Sequence, residues 1–203
     1  MNPQRIYLAS RSPRRRELLA QIGVSFDILC FRANARADPE VDETPHPGET
    51  ADACVLRLAQ AKAEHGVRLI ARRKLAPRII LAADTMLEVD GCVIGKPVDQ
   101  DDAFAILRRL SGRSHRVLTG VAVSSGAETR VLVHASVVRF RPLEEAEIRR
   151  YVSSGEPMDK AGAYGIQGGA GLFVEHISGS FTGIMGLPLC ETGLLLQAAG
   201  YRF

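Results

Sequence analysis

The sequence predicts an α/β protein, because short apolar segments with strand character alternate along it with segments of helical periodicity. Residues 79–83 form a short apolar run that opens on two isoleucines, as a buried strand can. Residues 116–124 and 129–140 alternate well enough to form two long strands, joined by a hairpin loop at 125–127. Apolar residues at helical spacing occur between such runs, as at Ala51, Cys54, Val55, Leu58 and Ala59.

Length and composition are those of an ordinary globular protein. With 203 residues, 46% apolar and 24% charged, we expect one domain over residues 1–203, with room for two lobes. A net charge of +3 is too small to indicate nucleic-acid or membrane binding, and no apolar run approaches the roughly 20 residues that span a bilayer. We therefore expect no nucleic-acid partner, no membrane association and a cytoplasmic location. The four cysteines and five histidines lack metal-ligand spacings, so neither a histidine or cysteine metal site nor a disulfide framework is expected.

The first strand is predicted at residues 6–9, and a helix follows it directly. Ser12 and Pro13 are favoured residues for the N-cap and the first helical position. The helix should run to about Ile22, because Gly23 suits the left-handed conformation that ends many helices.

The charges in the first turn of this helix conflict with its dipole. Arg14, Arg15 and Arg16 lie where cations are unfavourable by about 0.3–1 kcal/mol each. A bound anion would remove the conflict, which makes Ser10, Ser12, Arg14 and Arg15 candidate phosphate ligands. The alternative is a solvated basic turn.

The next part of the chain combines a polar loop with a long amphipathic helix. A strand is predicted at residues 25–30, a loop at 32–47 and a helix that starts near Glu49. Lys62 lies on the apolar stripe of this helix, so its ammonium either snorkels off the end of the stripe or points into a pocket. Residues 68–78 are basic and without pattern, which predicts a surface connection.

Residues 79–99 are the candidate centre of a functional site. If the strand ends at residue 83, Asp84 lies where a strand leaves the core. A carboxylate at that place requires a structural or functional explanation. Asp90-Gly91 is a preferred two-residue hairpin turn, and a hairpin would bring Lys96 back near Asp84. The alternative is a strand end with a solvated aspartate and a surface lysine beyond it.

The last third of the chain contains helices and a glycine-rich segment. Helices are predicted from an Asp99 cap to Leu110, from Pro142 to Gly155, and from Pro188 onward. Glycines are densest at residues 162–171, around Gln167 and directly after Asp159 and Lys160. Because glycine lets backbone amides approach a ligand closely, this segment is a candidate cradle for a phosphate or a base. The alternative is a flexible loop.

Several long motifs occur in order along nearly the whole chain. They are LASRSPRRRELL at 8–19, VDE at 41–43, RLAQAKA at 57–63, AADT at 82–85, GKPVD at 95–99, LSGRSHRVLTGVAV at 110–123 and EPMDKAGAYGIQG at 156–168. Together they resemble the Maf family of nucleoside triphosphate pyrophosphatases, also called septum formation inhibitors. The resemblance implies an α/β fold with a long, twisted mixed sheet flanked by helices and a cleft between two lobes, similar to inosine triphosphate pyrophosphatases. It also implies a possible homodimer.

The family reaction, as the resemblance implies, splits a nucleoside triphosphate into the monophosphate and pyrophosphate with a divalent cation, Mg²⁺ or Mn²⁺. Asp84 would accept the proton of the attacking water, with Glu43 as a metal or water partner and Asp99 as a weaker metal ligand. The phosphate channel would be lined by Ser10, Arg14, Arg15, Lys62, Lys96 and Lys160. Such chemistry needs carboxylates for the metal and the base, and cations for the phosphates.

Three positions imply the substrate by resemblance. Arg14, Thr85 and Gln167 match the subgroup that acts on dTTP and UTP, whereas a sister subgroup prefers 7-methyl-GTP and differs at all three. An amide at Gln167 can donate and accept hydrogen bonds toward a pyrimidine edge. Gly169 stands where the subgroup usually has arginine, which leaves the order among UTP, dTTP and modified pyrimidine nucleotides open. The alternatives are 7-methyl-GTP hydrolysis and a regulator of cell division that binds nucleotide or nucleic acid without turnover.

Overall fold

The computed structural model of the chain describes residues 4–29 and 41–203. Its strands are β1 (Arg5–Leu8), β2 (Ser25–Ile28), β3 (Ile80–Val89), β4 (Cys92–Ile94), β5 (Ser114–Ser124), β6 (Thr129–Phe140) and β7 (Val174–Ser178). They form one seven-stranded sheet in the order β2-β1-β3-β5-β6-β7, with β4 paired to β3. β1 is parallel to β2 and β3, whereas β3 with β4 and β6 with β7 are antiparallel. The prediction of a mixed sheet is confirmed.

Helices connect these strands, which confirms the α/β class. The α-helices are α1 (Pro13–Gln21), α2 (Ala51–Arg72), α3 (Gln100–Leu110), α4 (Glu145–Ser153), α5 (Phe181–Ile184) and α6 (Leu189–Ala198). Short 3₁₀ turns lie in and around the glycine-rich segment, at Glu156–Asp159, Ala161–Ala163 and Gly169–Phe173. In the part of the chain that the structure describes, no helix is both long and apolar enough to cross a membrane.

Two predicted helix boundaries are wrong. α2 continues to Arg72, through residues predicted to be a connection, because the buried side chains of Leu69 and Ile70 extend its apolar stripe. α4 begins after Glu144 rather than at Pro142, because Glu144 and Glu147 form a reciprocal capping box there. Of the predicted loop, residues 41–47 lie outside helices and strands, and residues 32–40 lie outside the described residues.

The chain divides into two compact units. The first unit consists of the described residues up to Asp84, Thr119–Val133 and Gly186–Phe203. The second unit consists of Thr85–Leu118 and His134–Met185. The expectation of one bilobed domain with a central cleft stays a prediction.

Small residues bring α2 close to the sheet in the first unit. Ala59 and Ala63 of α2 are fully buried in a cluster that includes Ala82 of β3 and Ala122 of β5. Gly120 of β5 lies so close to the helix that a Cβ on it would be 2.4 Å from the carbonyl oxygen of Val55. This close approach also fixes the side chains that α2 carries toward the sheet.

Aromatic rings form much of the core of the second unit. The ring of Phe140 lies 5.0 Å from that of His115 and 4.9 Å from that of Tyr164, in edge-to-face arrangements. His115 is buried, and its Nε2 atom hydrogen-bonds the Tyr164 hydroxyl at 2.8 Å. The imidazole is therefore enclosed by apolar groups and one phenol.

We expect His115 to make the protein less stable as the pH falls. Burial lowers the pKa of His115 to about 4, whereas an unfolded histidine titrates near ~6.5. Between these values the unfolded state binds more protons, so this contribution is present above pH ~6.5 and is lost toward pH ~4, by about 3 kcal/mol. Urea unfolding at several pH values should show a smaller pH dependence for His115→Gln than for wild type.

The matched control for this prediction is His176→Gln, which changes an exposed histidine of the same unit. It should keep the wild-type dependence of the unfolding free energy on pH. An unchanged dependence in His115→Gln would contradict the assignment.

Candidate active site

Lys62 joins two of the predicted catalytic acids. Its Nζ atom lies 2.6 Å from Asp84 Oδ1 and 2.6 Å from Glu43 Oε1. The side chains of Lys62 and Asp84 are each 14% exposed, whereas that of Glu43 is 64% exposed. Lys62 therefore does not snorkel into solvent. A lysine lies on the apolar stripe of α2 because its ammonium pairs with these two carboxylates.

Asp84 lies within a strand, not at the end of one. β3 continues through it from Ile80 to Val89, so the prediction of a strand end at residue 83 is wrong. The reason is that the residues after Asp84 also favour strand structure, and the chain turns only at Asp90-Gly91. β3 pairs with β1 at Ile80 and Leu81, before Asp84, and with β4 from Leu87 to Val89, after it, so the strand is held in the sheet both before and after Asp84.

The hairpin after Asp84 is confirmed. Asp90 and Gly91 have φ values of 53° and 74°, as a type I′ turn requires, and Val89 pairs with Cys92 across it. Lys96 follows β4 in the second unit and is exposed. Its approach to Asp84 stays a prediction.

The start of α1 contributes a second cation, Arg15, to the candidate site of the first unit. Ser12 Oγ caps the helix by accepting from Arg15 N at 3.5 Å, as predicted. The Arg15 guanidinium donates to Ser10 Oγ at 3.1 Å and to the Gly186 carbonyl at 2.8 Å. It is thereby held in a fixed position by one hydroxyl and one backbone oxygen.

Arg15 also lies within electrostatic reach of the two acids. Burial lowers the pKa of Arg15, while the charges of Asp84 and Glu43 raise it and the charge of Arg14 lowers it. The first turn of α1 is therefore not simply a solvated basic turn. Within the first unit, the structure brings together the predicted residues Ser10, Arg14, Arg15, Glu43, Lys62 and Asp84.

Arg57 is a residue of this region to which the sequence analysis assigned no role. Its guanidinium forms a two-point ion pair with Glu49, with Nε–Oε1 at 2.7 Å and Nη2–Oε2 at 2.8 Å. The same group donates to the backbone carbonyls of Asp42 at 3.5 Å and Thr44 at 3.1 Å. It thus holds the segment that carries Glu43. The only signal for it in the sequence is its place in the RLAQAKA motif, five residues before Lys62.

A cavity of about 550 Å³ lies beside Arg57. Its lining includes Val41, Asp42, Ala61, His65, Arg68, Leu69 and Arg72. Neither Lys62 nor Asp84 lines it, so this cavity is distinct from the cluster of Lys62 with its two carboxylates.

The second unit holds the remaining predicted residues in different settings. Lys160 Nζ is 2.6 Å from Asp159 Oδ1 and donates to the Glu156 carbonyl, so its charge is already partnered. Gln167 is exposed, and Thr85 is partly buried on β3. Asp99 Oδ1 caps α3 by accepting from Asp102 N at 2.8 Å. None of these observations tests their functional roles, which stay predictions.

Among the described residues of the first unit, the carboxylates of Asp84 and Glu43 are the candidate metal ligands. Within residues 4–29 and 41–203, no group of three or more His, Cys, Asp or Glu side chains is arranged to hold a metal ion. Asp84 and Glu43 nevertheless share one cation, since the Lys62 ammonium bridges them. Carboxylate oxygens are the ligands that Mg²⁺ takes, commonly one or two with the substrate phosphates supplying others.

The sequence profile described as Maf-like protein matches residues 5–199 of this chain. The chain belongs to the Maf family. Among curated members of this family, a protein of Dechloromonas aromatica is 63% identical over 198 residues, covering 98% of each chain. A protein of Aromatoleum aromaticum is 63% identical, covering 97% of this chain and 96% of its own. A third, of Chromobacterium violaceum, is 52% identical over 99% of this chain and 98% of its own. All three are named dTTP/UTP pyrophosphatase.

Among solved structures, the Ham1 protein of Staphylococcus aureus aligns with a TM-score of 0.45 and 16% identity. The alignment covers 68% of this Maf-family chain and 72% of that chain. A likeness of this degree carries no argument about function. The implied similarity to inosine triphosphate pyrophosphatases stays a prediction.

Proposed function

We propose that this Maf-family protein hydrolyses dTTP and UTP to the nucleoside monophosphate and pyrophosphate. The observation that carries the proposal is the cluster of Asp84 and Glu43 on Lys62, with Arg15 fixed beside it. Acids and cations in one place are what phosphate-anhydride hydrolysis requires. Near full-length relatives at 52–63% identity that are named dTTP/UTP pyrophosphatase support the same activity.

In the proposed reaction, a water oxygen attacks the α-phosphorus and the bond from that phosphorus to its bridging oxygen breaks. Asp84 accepts the water proton, and pyrophosphate leaves with the bridging oxygen. Lys62 and Arg15 neutralise negative charge on the phosphate oxygens, and we assign Arg14, Ser10, Lys96 and Lys160 to the same phosphate channel. The ion pair of Lys62 with both acids keeps the cation and the base side by side before substrate binds.

A divalent cation, Mg²⁺ or Mn²⁺, is part of this proposal. Glu43 and Asp84 would hold it, because their carboxylates already share one cationic group and have the oxygen donors that these ions prefer. Asp99 is the third proposed ligand, although its carboxylate serves as a helix cap. When bound, the ion supplies Lewis-acid stabilisation of charge on the phosphate.

Substrate selectivity is assigned to Arg14, Thr85 and Gln167. An exposed amide such as Gln167 can both donate to and accept from a pyrimidine edge. A carboxylate in its place would favour the cationic base of 7-methyl-GTP, so that alternative substrate is disfavoured. We also infer a cytoplasmic enzyme without nucleic-acid or membrane partners, and a homodimer as the assembly that the family resemblance implies.

A nucleotide panel tests the activity. We expect pyrophosphate release from dTTP and UTP in the presence of Mg²⁺ or Mn²⁺, at higher kcat/KM than from 7-methyl-GTP, CTP or the purine triphosphates. The nucleoside monophosphate should appear in equal amount. Saturable nucleotide binding without turnover would contradict hydrolysis and favour the alternative of a non-catalytic regulator of cell division.

A further inference from the structure

The glycine-rich segment 165–169 is fixed at both ends by two side chains near the end of α4. At one end, Gly165 N donates to the Tyr151 hydroxyl oxygen at 3.1 Å. At the other end, Gly169 N donates to Glu156 Oε2 at 3.0 Å. The Tyr151 hydroxyl in turn donates to Glu156 Oε1 at 2.9 Å. One connected chain of hydrogen bonds therefore spans the segment, and Gln167 lies at its middle.

The glycines of this segment allow the carboxylate to come close. A Cβ at position 168 would be 2.1 Å from Glu156 Oε1, and one at position 165 would be 3.1 Å from the same atom. Real Cβ atoms do not approach an oxygen to 2.1 Å, so Gly168 is needed for Glu156 to lie where it does. The glycines predicted to form a cradle for a ligand thus receive a side chain of the protein itself, that of Glu156.

Tyr151 is well placed to act as a rigid support. Its ring packs edge-to-face on Phe173, with centroids 5.2 Å apart, and the residue is buried. Burial raises the pKa of Tyr151, so its phenol stays protonated and donates to Glu156 across the working pH range. Gln167, in contrast, is exposed and free to meet a ligand from solvent.

We propose that Tyr151 and Glu156 are positioning residues for substrate selectivity, which act by holding the backbone of Gln167. The proposal rests on the function proposed above, in which Gln167 contacts the pyrimidine base. A residue that fixes a base-contacting amide changes how well the correct nucleotide binds. It leaves the water and the base Asp84 untouched, and Lys160 keeps its contact because it donates to the backbone carbonyl of Glu156, which side-chain substitutions retain.

A double-mutant cycle between positions 151 and 167 tests this inference. In Tyr151→Phe we expect KM for dTTP and UTP to rise about tenfold, as for loss of a hydrogen bond, with kcat close to wild type. In the Gln167→Ala background, Tyr151→Phe should change KM little further, because the group that it positions is gone. If Tyr151→Phe acted only by disturbing the structure, its effect on KM would add to that of Gln167→Ala, and kcat would fall as well.

Two further variants control for loss of fold. Tyr164→Phe also removes a buried phenol hydrogen bond in the same unit and should keep wild-type KM. Glu156→Gln keeps one acceptor oxygen and should fall between wild type and Glu156→Ala in KM. Thermal unfolding of every variant reports whether the fold is retained.

The outcomes separate the two proposals. If wild type cleaves no pyrimidine triphosphate, the proposed function fails. If wild type cleaves dTTP and UTP but Tyr151→Phe and Glu156→Ala keep wild-type KM, the positioning inference fails alone. It also fails if the effect of Tyr151→Phe is the same with and without Gln167.

Discussion

Replacing Asp84 with asparagine is expected to preserve the fold and to reduce turnover about 10²–10⁴-fold, the usual loss when a general base is removed. Asparagine has nearly the same size, and Lys62 keeps its ion pair with Glu43 in the variant. What is lost is the negative oxygen that accepts the proton of water and that, in the proposed site, also helps to hold the divalent cation. Steady-state pyrophosphate release at saturating dTTP, together with thermal unfolding, measures both effects.

The same strand offers a matched control. Glu88→Gln also neutralises a carboxylate of β3, one that pairs with Arg116 at 2.7 Å and has no proposed part in catalysis. It should retain turnover near wild type. Wild-type turnover in Asp84→Asn would contradict the assignment of the base, whatever the control does.

Replacing Gly120 with alanine is expected to cost on the order of 3 kcal/mol or more in unfolding free energy, at the upper end for overpacked cores. The new Cβ would lie 2.4 Å from the Val55 carbonyl oxygen and 2.9 Å from the Val55 carbonyl carbon. Both are backbone atoms of α2, so no side-chain rotation relieves the clash and the helix has to move away from the sheet. Urea unfolding gives the free energy directly.

Gly193→Ala, in the same unit, is the matched control for Gly120→Ala. Gly193 lies inside α6, and a Cβ there would be 3.7 Å from the nearest atom, a ring carbon of Phe203. Alanine in a helix interior is favoured over glycine by about 1 kcal/mol, so this variant should be as stable as wild type or more so. Equal stabilities of Gly120→Ala and Gly193→Ala would contradict the close packing of α2 on β5.

Local patterns predicted the elements whose ends are set by local chemistry. Ser12 and Pro13 fixed the start of α1, and Asp90-Gly91 fixed the hairpin, because caps and tight turns depend on a few adjacent residues. The continuation of β3 through Asp84 was not predicted, although the residues after Asp84 favour strand structure, because an acid that follows an apolar run does not show locally whether the strand goes on. A strand continues wherever neighbouring strands supply hydrogen-bond partners, and those neighbours are distant in sequence.

The candidate site was likewise predictable only where adjacent residues carried the signal. Lys62 was visible as a charge on an apolar stripe, but its partners Asp84 and Glu43 are brought to it by the fold. Their roles came from the family resemblance and not from spacing. The role of Arg57 was not predicted. Arg57 holds the segment around Glu43 by donating to the backbone carbonyls of residues 42 and 44, and every residue has such a carbonyl, so the sequence carries no signal for the contact.

The position of Asp84 inside β3 restricts how this protein can change in length. Side chains alternate between the two faces of a strand, so Ala83 and Thr85 point away from the face on which Asp84 meets Lys62. Inserting or deleting one residue between Ile80 and Asp84 would exchange the aspartate for one of these neighbours while leaving an acceptable strand. Over evolutionary time, single-residue insertions and deletions should therefore collect in connections such as residues 125–128 and be absent from the first half of β3.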